Sequence, residues 1–517
     1  MNTPDPDGER EEDGQSEAEA PAQTGGAESI SKNAAFALAS QIVTAAFTAA
    51  LTIFLTRRLG PEEFGVFSLA LGIGSILLLP GDAGISTAAA RYIAERRANP
   101  SAVASVLKDA SRLRLFTSGG VSVALVLLAG PVADGYDTPG LAWALRGMAV
   151  AIFGQNLMQL YGGTFTALGR LALSFRMIFT KSVVEVGASV ALVLAGAGAT
   201  GAAFGRAAGF LAGGLIGMVM IWRLLGRTSD GDAGPEVGTR RLAKYASALV
   251  IIEGAFVLFE QIDVLIIGAM VGATAAGLFQ APLRLVTFLQ YPAYALAAGV
   301  APRVAREGTS GSDVGPFAVS LRLIVLLQAA LLPPLVIWAD PIVELVLGSE
   351  YAESADVLRA LAPYVFLAGL GPLVSMAVNY LGEARRRLPI AVGALAVNAG
   401  IDVALIPEIG IIAGAIGTNV AYGIYVPAHL WICKRMIGLP MRPFLISTVR
   451  ALAASAVMAG VLALFGTQEV AVPLLLAGGA LGVAVYLAAL LLLREVSLAE
   501  LRTVAAAVRA RLLRSRA

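Results

Sequence analysis

A small set of ionisable and amide side chains within apolar segments could perform chemistry in this sequence. Glu253 and Glu260 are seven residues apart, so a helix places them on one face, with Asp263 nearby. Gln280 and Arg284 are four residues apart and share a face of the next apolar segment. The carboxylates could bind a cation or a proton, and the guanidinium fork could hold a phosphate or acidic sugar. Charges at membrane depth are costly, which makes them functional candidates.

Other apolar segments carry polar groups whose spacing indicates one polar stripe per helix, as a water-filled cavity requires. We expect substrate contacts from Arg284, Gln280, Gln155, Asn156 and Gln159. We expect ion coupling, or counter-charges to the arginine, from Glu253, Glu260, Asp263, Asn398 and Asp402. We expect gating or structural roles for Asp82, Arg91, Lys181 and Glu185.

Several of these side chains have a second interpretation. Arg284 and the acids of the preceding segment could form an internal ion pair that fastens two helices. Asp263 could be a structural lock at the outer end of its segment. We expect Lys181 and Glu185 to form a structural pair near the inner face, and Arg91 to anchor the cytoplasmic gate by a salt bridge. Arg146 and Arg206 are expected near outer interfaces.

The composition excludes several kinds of chemistry. There is one cysteine, Cys433, and one histidine, His429, so a disulfide framework or a metal site built on these residues is not expected. The sequence lacks a phosphate-binding glycine loop with its lysine, so ATP hydrolysis is not encoded in it. We therefore expect no cofactor, no metal, no nucleic-acid partner and no enzymatic activity. An ion gradient, the membrane potential or the substrate gradient must supply the energy.

The segments that position these groups are long and apolar on all sides. Hydrophobic residues make up 57% of the 517 residues and charged residues 14%, against roughly 25% in soluble domains. The sequence predicts an all-α integral membrane protein with about 14 spans. The predicted spans are 34–56, 64–82, 113–133, 141–166, 172–195, 201–224, 245–269, 276–300, 319–339, 357–380, 388–406, 411–433, 446–466 and 470–493.

Basic residues crowd into every second connection between these spans. Arg385, Arg386 and Arg387 follow the tenth span, for example, whereas the loop Gly130–Gly140 contains no Lys or Arg. Cationic loops stay on the cytoplasmic side, so the alternation predicts a multi-pass protein of the cell membrane with both termini inside. The pair Arg57–Arg58, on an outward loop, is the main exception.

Two halves of the sequence are related by a repeat. Leu59–Phe67 matches Val271–Phe279 at an offset of 212 residues, and Thr166–Gly169 matches Asn379–Gly382 at an offset of 213. This predicts two six-helix lobes in parallel orientation, plus two extra C-terminal spans. The predicted parts are a disordered acidic cytoplasmic tail (1–29), an N-terminal lobe (30–226), a cytoplasmic linker (227–241), a C-terminal lobe (242–436), spans 13 and 14 (437–493) and a basic cytoplasmic tail (494–517).

Three motifs in these halves resemble the multidrug/oligosaccharidyl-lipid/polysaccharide (MOP) exporter superfamily, and specifically its Wzx-type polysaccharide flippases. The first is Leu59–Phe67, which resembles the family's LG-x-x-x-F/Y-G-x-Y/F loop. The second is Asp82–Glu95, similar to D-x-G followed by R-Y-I-A. The third is Asp263–Gly268 with Gly277–Phe279, similar to D-x-x-x-I-G followed by G-x-Y.

The resemblance implies a flippase that moves a lipid-linked oligosaccharide or polysaccharide repeat unit to the outer leaflet by alternating access. The implied partners are a polyprenyl-linked glycan, membrane lipids and glycan-assembly enzymes, and a monomer is expected. One alternative is an ion-coupled drug or organic-cation antiporter of the same superfamily, although Arg284 argues modestly against it. A membrane glycosyltransferase or polymerase is a weaker alternative, because the longest outward loop, 340–356, is too short to hold a catalytic site.

Overall fold

The computed structural model describes residues 30–226, 239–294, 296–297, 300, 314–381, 383–468, 470–500 and 502. Within these ranges the chain folds into helices and no strand is present. The predictions for the acidic tail 1–29 and for most of the linker and of the basic C-terminal tail lie outside them. The helices are α1 (Ile30–Asp82), α2 (Ile85–Glu95), α3 (Pro100–Gly135), α4 (Leu141–Ala167), α5 (Leu171–Leu194), α6 (Gly198–Leu225), α7 (Thr239–Met270), α8 (Ala273–Phe288), α9 (Gly315–Ile337), α10 (Ala339–Val346), α11 (Ser354–Ala360), α12 (Ala362–Tyr380), α13 (Ala384–Ile409), α14 (Ile412–Ile437), α15 (Met441–Ala463) and α16 (Val472–Leu492), with a 3₁₀ turn at Ser349–Tyr351.

Helix α1 contains the first two predicted spans, separated by a kink at Gly60. Gly60 has φ +70° and ψ 175°, a conformation that favours glycine. Gly272 stands at the equivalent place in the second half, just before α8, with φ +114° and ψ 177°. The repeat in the sequence therefore marks two turns of similar, glycine-dependent geometry.

The two repeated segments also pack against each other. A Cβ placed on Gly65 would lie 1.8 Å from the carbonyl oxygen of Ala273, and one placed on Gly277 would lie 1.9 Å from that of Pro61. Gly65 and Gly277 are repeat equivalents, and so are Pro61 and Ala273, so the contact is reciprocal. Such reciprocity is what an axis of two-fold pseudosymmetry between α1 and α8 requires. The prediction of two helical lobes related by a parallel repeat is confirmed.

Following the predicted division, we call α1–α6 the N-terminal lobe and α7–α14 the C-terminal lobe. Within the lobes, α4 and α5 pack on α6, and α13 packs on α7 and α14. Polar caps join distant helix ends: Glu63 accepts a hydrogen bond from the amide of Ala199 at 2.6 Å, and Asn33 donates to the carbonyl of Gly169 at 3.0 Å. Helix α15 packs on α9 and α16, outside the repeat.

Nine helices in the described residues are long and apolar enough to cross a membrane. Each predicted span overlaps a helix, two of them on α1. The span 276–300 extends beyond the end of α8 at Phe288, the span 357–380 covers both α11 and α12, and the count of 14 stays a prediction. Trp143 near the start of α4 and Trp222 and Trp431 near the ends of α6 and α14 are exposed. Arg146 stacks 4.4 Å from the ring of Trp143, and Arg435 stacks 5.1 Å from that of Trp431. Exposed tryptophans at helix ends are typical of membrane–water interfaces.

Candidate transport site between the two lobes

Arg284 projects from α8 and is held in place by the residue one turn before it. With the Gln280 amide oxygen oriented toward the guanidinium, that oxygen accepts from Arg284 Nε and Nη2 at 3.1 Å each. Gln280 is buried, whereas Arg284 is half-buried. The predicted shared face of these two residues is therefore present. The amide fixes the guanidinium, and part of its surface remains available to a ligand.

Charges from both lobes act on Arg284. Glu260 on α7 is exposed and interacts electrostatically with Arg284. Arg206 on α6, in the N-terminal lobe, also interacts electrostatically with it. Arg284 is thus attracted by one acid of its own lobe and repelled by one cation of the opposite lobe. The side chain of Glu253 lies outside the described residues, so its role stays a prediction.

Lys181, Glu185 and Arg206 form a charged triad within the N-terminal lobe. Lys181 forms the expected ion pair with Glu185, and Arg206 Nη1 lies 3.0 Å from Glu185 Oε1. Both cations also stack on Phe210, at 4.7 Å for Lys181 Nζ and 4.8 Å for the Arg206 guanidinium carbon. Arg206 lies against the buried acid Glu185, and its expected position near an outer interface stays a prediction. This third partner cannot be predicted from helical spacing, because it lies 21 residues beyond Glu185 on another helix.

The polar residues of α4 divide between two faces. Gln159 is exposed and Gln155 is half-buried, and their spacing of four residues puts them on one face. Asn156 is fully buried and donates to Ser118 Oγ at 3.1 Å. In this conformation Asn156 therefore offers no surface to a substrate and instead joins α4 to α3.

Asp82 belongs to a buried lock in the same lobe. Arg114 on α3 is 2% exposed and pairs with Asp82 at the end of α1. Arg114 also donates to Ser86 Oγ at 2.7 Å and to the carbonyl of Asn156. The sequence does not predict this lock, because Arg114 and Asp82 are 32 residues apart and lie on different helices. Arg91, by contrast, pairs at 3.1 Å with Glu95 on its own exposed helix face.

A second buried cluster joins three helices of the C-terminal lobe. Asn398 Nδ2 donates to Asp263 Oδ1 and Thr418 Oγ1 donates to Asp263 Oδ2, at 2.6 Å each. Asp402, which is 0% exposed, lies within hydrogen-bonding range of Asp263, and neither of its oxygens has a donor. Asn398 Oδ1 also lacks a partner. Two carboxyl groups so close cannot both stay charged unless a cation binds between them. Without a cation, one of them holds a proton.

The close approach at this cluster depends on a glycine of α14. A Cβ on Gly417 would lie 2.5 Å from Asn398 Oδ1 and from Asp402 Oδ1. The predicted face shared by Asn398 and Asp402 is thus present, and it meets Asp263. Thr418 was missed, because a lone threonine in an apolar span gives no signal of its own.

Aromatic side chains of the C-terminal lobe lie near Glu260. Tyr364 and Tyr422 are in edge contact at 4.8 Å, and Phe259 lies 5.3 Å from Tyr422. Gln290 donates to the Tyr364 hydroxyl at 3.2 Å. Tyr294 is exposed and interacts electrostatically with Glu260. Glu260 therefore interacts electrostatically with several tyrosine side chains, namely Tyr294, Tyr364 and Tyr422.

Two helical lobes with charged groups between them define a membrane transporter of the two-lobed type. A family profile described as polysaccharide biosynthesis protein matches residues 30–306, which is more than half of the chain. The chain therefore belongs to the polysaccharide biosynthesis protein family. The resemblance inferred from the sequence motifs is confirmed.

A curated relative is similar along most of the chain. It is the "probable low-salt glycan biosynthesis flippase Agl15" of Haloferax volcanii, 22% identical over 379 residues, which are 73% of this chain and 77% of the relative. Among solved structures, the lipid II flippase MurJ in an inward closed conformation superposes with a TM-score of 0.69 and 13% identity, covering 89% of this chain and 99% of MurJ. An inward-facing multidrug resistance MATE transporter of the MOP superfamily superposes with a TM-score of 0.61 and 16% identity, covering 76% and 94%. These structural likenesses establish the fold.

Proposed function

We propose that this protein is a flippase that moves a lipid-linked oligosaccharide or polysaccharide repeat unit from the cytoplasmic to the outer leaflet. The observation that carries the proposal is Arg284, a cation on the helix α8, which packs on α1 of the other lobe, in a chain that belongs to the polysaccharide biosynthesis protein family. A guanidinium stays charged and can bind a phosphate through two hydrogen bonds. The headgroup of a lipid-diphosphate glycan is the ligand that such a site fits best. The relative named as a glycan flippase supports the same assignment.

The structure suggests how the headgroup would enter. On the outer side, Gly65 packs on Ala273 and Phe64 meets Tyr351 edge-on at 6.5 Å, so the lobes are closed there. A headgroup would therefore enter from the cytoplasmic side and bind Arg284 while its lipid tail stays in the bilayer. Separation of these outer contacts would then open the site to the other leaflet. This path requires the proposed orientation in the cell membrane, with both termini cytoplasmic, and a polyprenyl carrier that stays in the bilayer; one protomer suffices.

The acid cluster of the C-terminal lobe is the proposed site of ion coupling. Asp402 and Asn398 present three buried oxygens that lack donors, next to Asp263. A proton or a monovalent cation bound there would neutralise the pair and allow α7, α13 and α14 to pack. Its release would loosen them. The cluster can therefore couple an ion gradient to the arrangement of the lobe.

The alternative of a drug or organic-cation antiporter is less well supported. A cation carrier requires a site dominated by acids, and Glu260 and the Asp263–Asp402 pair would suit one. Arg284, with Arg206 acting on it from the other lobe, would repel an organic cation. The arginine therefore favours an anionic substrate.

Export in intact cells tests the proposal. Arg284→Ala should abolish glycan export at wild-type protein levels and cause lipid-linked glycan to accumulate in the cytoplasmic leaflet. Arg284→Lys should restore export only in part, because an ammonium group lacks the planar fork. Arg223→Ala, which removes an arginine near the cytoplasmic end of α6, serves as a matched control and should export normally. Normal export by Arg284→Ala would refute the assignment.

A further inference from the structure

Arg57, on the predicted outer side, is one of the two arginines that depart from the charge asymmetry of the loops. It lies near the outer end of the first segment of α1, in the N-terminal lobe. Its guanidinium crosses to the C-terminal lobe, where Nε donates to the carbonyl of Val346 at 3.1 Å and Nη2 donates to the carbonyl of Leu345. Arg57 thus joins the two lobes directly.

The carbonyls that it binds are those that helix α10 leaves unpaired at its C-terminus. A helix cannot satisfy its last four carbonyls internally. In α10, the amide of Leu347 donates to Val343 at 2.7 Å, and the amide of Gly348 donates to Val343 and Glu344 at 3.1 Å each. Leu345 and Val346 remain, and Arg57 donates to both. A cation at a helix C-terminus also interacts favourably with the helix dipole.

The contact of Arg57 with α10 lies close along the chain to other contacts between the lobes on the outer side. Phe64 meets Tyr351 edge-on at 6.5 Å, and a Cβ on Gly60 would lie 2.8 Å from Glu350 Oε2. Gly65 packs on the backbone of Ala273. The segment 57–65 of one lobe therefore closes on the segment 345–351 and on the start of α8. Within this group, Arg57 contributes a positive charge and two hydrogen bonds across the lobe boundary.

We propose that Arg57 is the latch of the outer gate: it caps the C-terminus of α10 while the gate is closed and must release it when the lobes separate. The inference deepens the proposed function, because it concerns the conformational step that delivers the headgroup outside. It does not depend on which substrate is carried. Removal of the latch should shift the protein toward the outward-open conformation.

Arg58 provides a matched control. It is the next residue, is exposed and lies on the same outward segment. Arg57→Gln and Arg58→Gln remove the same charge from the same end of the first segment of α1, so any effect on membrane orientation should be equal. Only the first substitution removes the cap of α10. Arg57→Lys retains the charge near the helix end but cannot bridge two carbonyls in the same way.

Distances between two spin labels on the outer side test the latch. The labels are placed at Asp134 and Glu353, exposed residues of opposite lobes, in full-length protein with Cys433→Ser, reconstituted in lipid nanodiscs. Arg57→Gln should raise the ratio of long to short distances roughly two- to five-fold, the range expected for a charge at an exposed helix end. The ratio for Arg57→Lys should lie between those of the parent and Arg57→Gln, and the ratio for Arg58→Gln should equal that of the parent.

Two outcomes would overturn the latch: an unchanged distribution in Arg57→Gln, or an equal shift in Arg58→Gln. If Arg57→Gln fails to fold, Arg57→Lys carries the test, and a distribution identical to that of the parent contradicts the latch. A different result would refute the proposed function, namely normal glycan export by Arg284→Ala. A shifted distribution in Arg57→Gln would stand even if the transported substrate proved not to be a glycan.

Discussion

Gly65 and Gly277 lie against each other across the lobe boundary, each on the backbone of the other's segment. A Cβ on Gly65 would also meet the amide nitrogen of Gly277 at 2.9 Å, and one on Gly277 would meet that of Gly65 at 3.0 Å. The two residues are separated by 212 positions and occupy equivalent places in the repeat. The internal duplication therefore serves a structural purpose, because it produces the self-complementary contact that closes the outer side.

Gly65→Ala should prevent this closure. The added methyl group would overlap a backbone carbonyl, which cannot move aside as a flexible side chain could. Overpacking of this kind costs about 1–3 kcal/mol, so we expect export to fall by roughly ten-fold at similar protein levels. Gly120→Ala on α3 is the control, because nothing lies within 4 Å of the added atom. Equal export by the two variants would show that the contact is not needed.

Arg114→Ala should destabilise the N-terminal lobe without touching the transport site. It would leave the Asp82 carboxylate without its buried partner, which costs about 3–5 kcal/mol. Thermal unfolding in detergent measures the loss. Arg112→Ala, two residues away and exposed, should leave the melting temperature nearly unchanged. In a double-mutant cycle with Asp82→Asn the two losses should not add; strict additivity would show that the pair is not coupled.

Asp402→Asn should separate ion coupling from folding. The amide has nearly the same shape, but it removes the charge that a proton or cation must neutralise. We expect a folded protein whose transport no longer responds to the ion, Na⁺ or H⁺, that stimulates the wild type. Transport rates across a series of Na⁺ concentrations and pH values measure this. Asp356→Asn, at an exposed residue outside the cluster, should keep the wild-type response. If Asp402→Asn retains that response too, the cluster is structural.

Glu495 should make stability depend on pH. It lies beyond the last span and accepts from Arg322 Nε at 2.8 Å, from Ser447 at 2.7 Å and from Arg450 at 3.3 Å. Burial acts to raise the pKa of Glu495, but these hydrogen bonds lower it below the usual value. Because the pKa is lower in the folded state, the stabilisation is present above the pKa of the unfolded carboxyl group and is lost as pH falls through the folded pKa.

Melting temperatures of the wild type and Glu495→Gln test this dependence. The difference between them should be largest near about pH 7 and should shrink as the pH falls below about 4, where the carboxyl group becomes protonated first in the unfolded state and then in the folded state. Glu353→Gln, an exposed substitution on the outer side, should follow the wild type. A difference that grows on acidification would contradict the sign.

Much of the fold could be predicted from the sequence because the membrane imposes simple rules. Apolar length located the spans, and the offset of Leu59–Phe67 from Val271–Phe279 located the repeat. Intrahelical pairs were also accessible: Gln280 with Arg284, Lys181 with Glu185 and Asn398 with Asp402 follow from a spacing of four residues. These relations are set within one helix and need no knowledge of packing.

Contacts between helices could not be predicted in the same way. Arg114 with Asp82, Arg206 with Glu185, and Thr418 with Asp263 join residues whose separation in sequence carries no periodicity. Asn156 shows the same limit within one helix. It is buried, whereas its neighbour Gln155 is half-buried, and the sequence does not indicate which of the two helix faces is packed in the interior. Arg57 was recognised as an exception to the charge rule, but its partner, the end of α10, emerged only from the fold.

Movement of a lipid-linked glycan between leaflets of a reconstituted bilayer is the most direct test of the central claim. Purified protein is placed in vesicles that contain a polyprenyl-diphosphate oligosaccharide, and the fraction accessible to an added glycosidase is followed with time. The wild type should expose glycan from the inner leaflet, Arg284→Lys should do so more slowly, and Arg284→Ala should not differ from empty vesicles. The account would be contradicted if Arg284→Ala moved glycan at the wild-type rate, or if the wild type moved none under an imposed Na⁺ or H⁺ gradient.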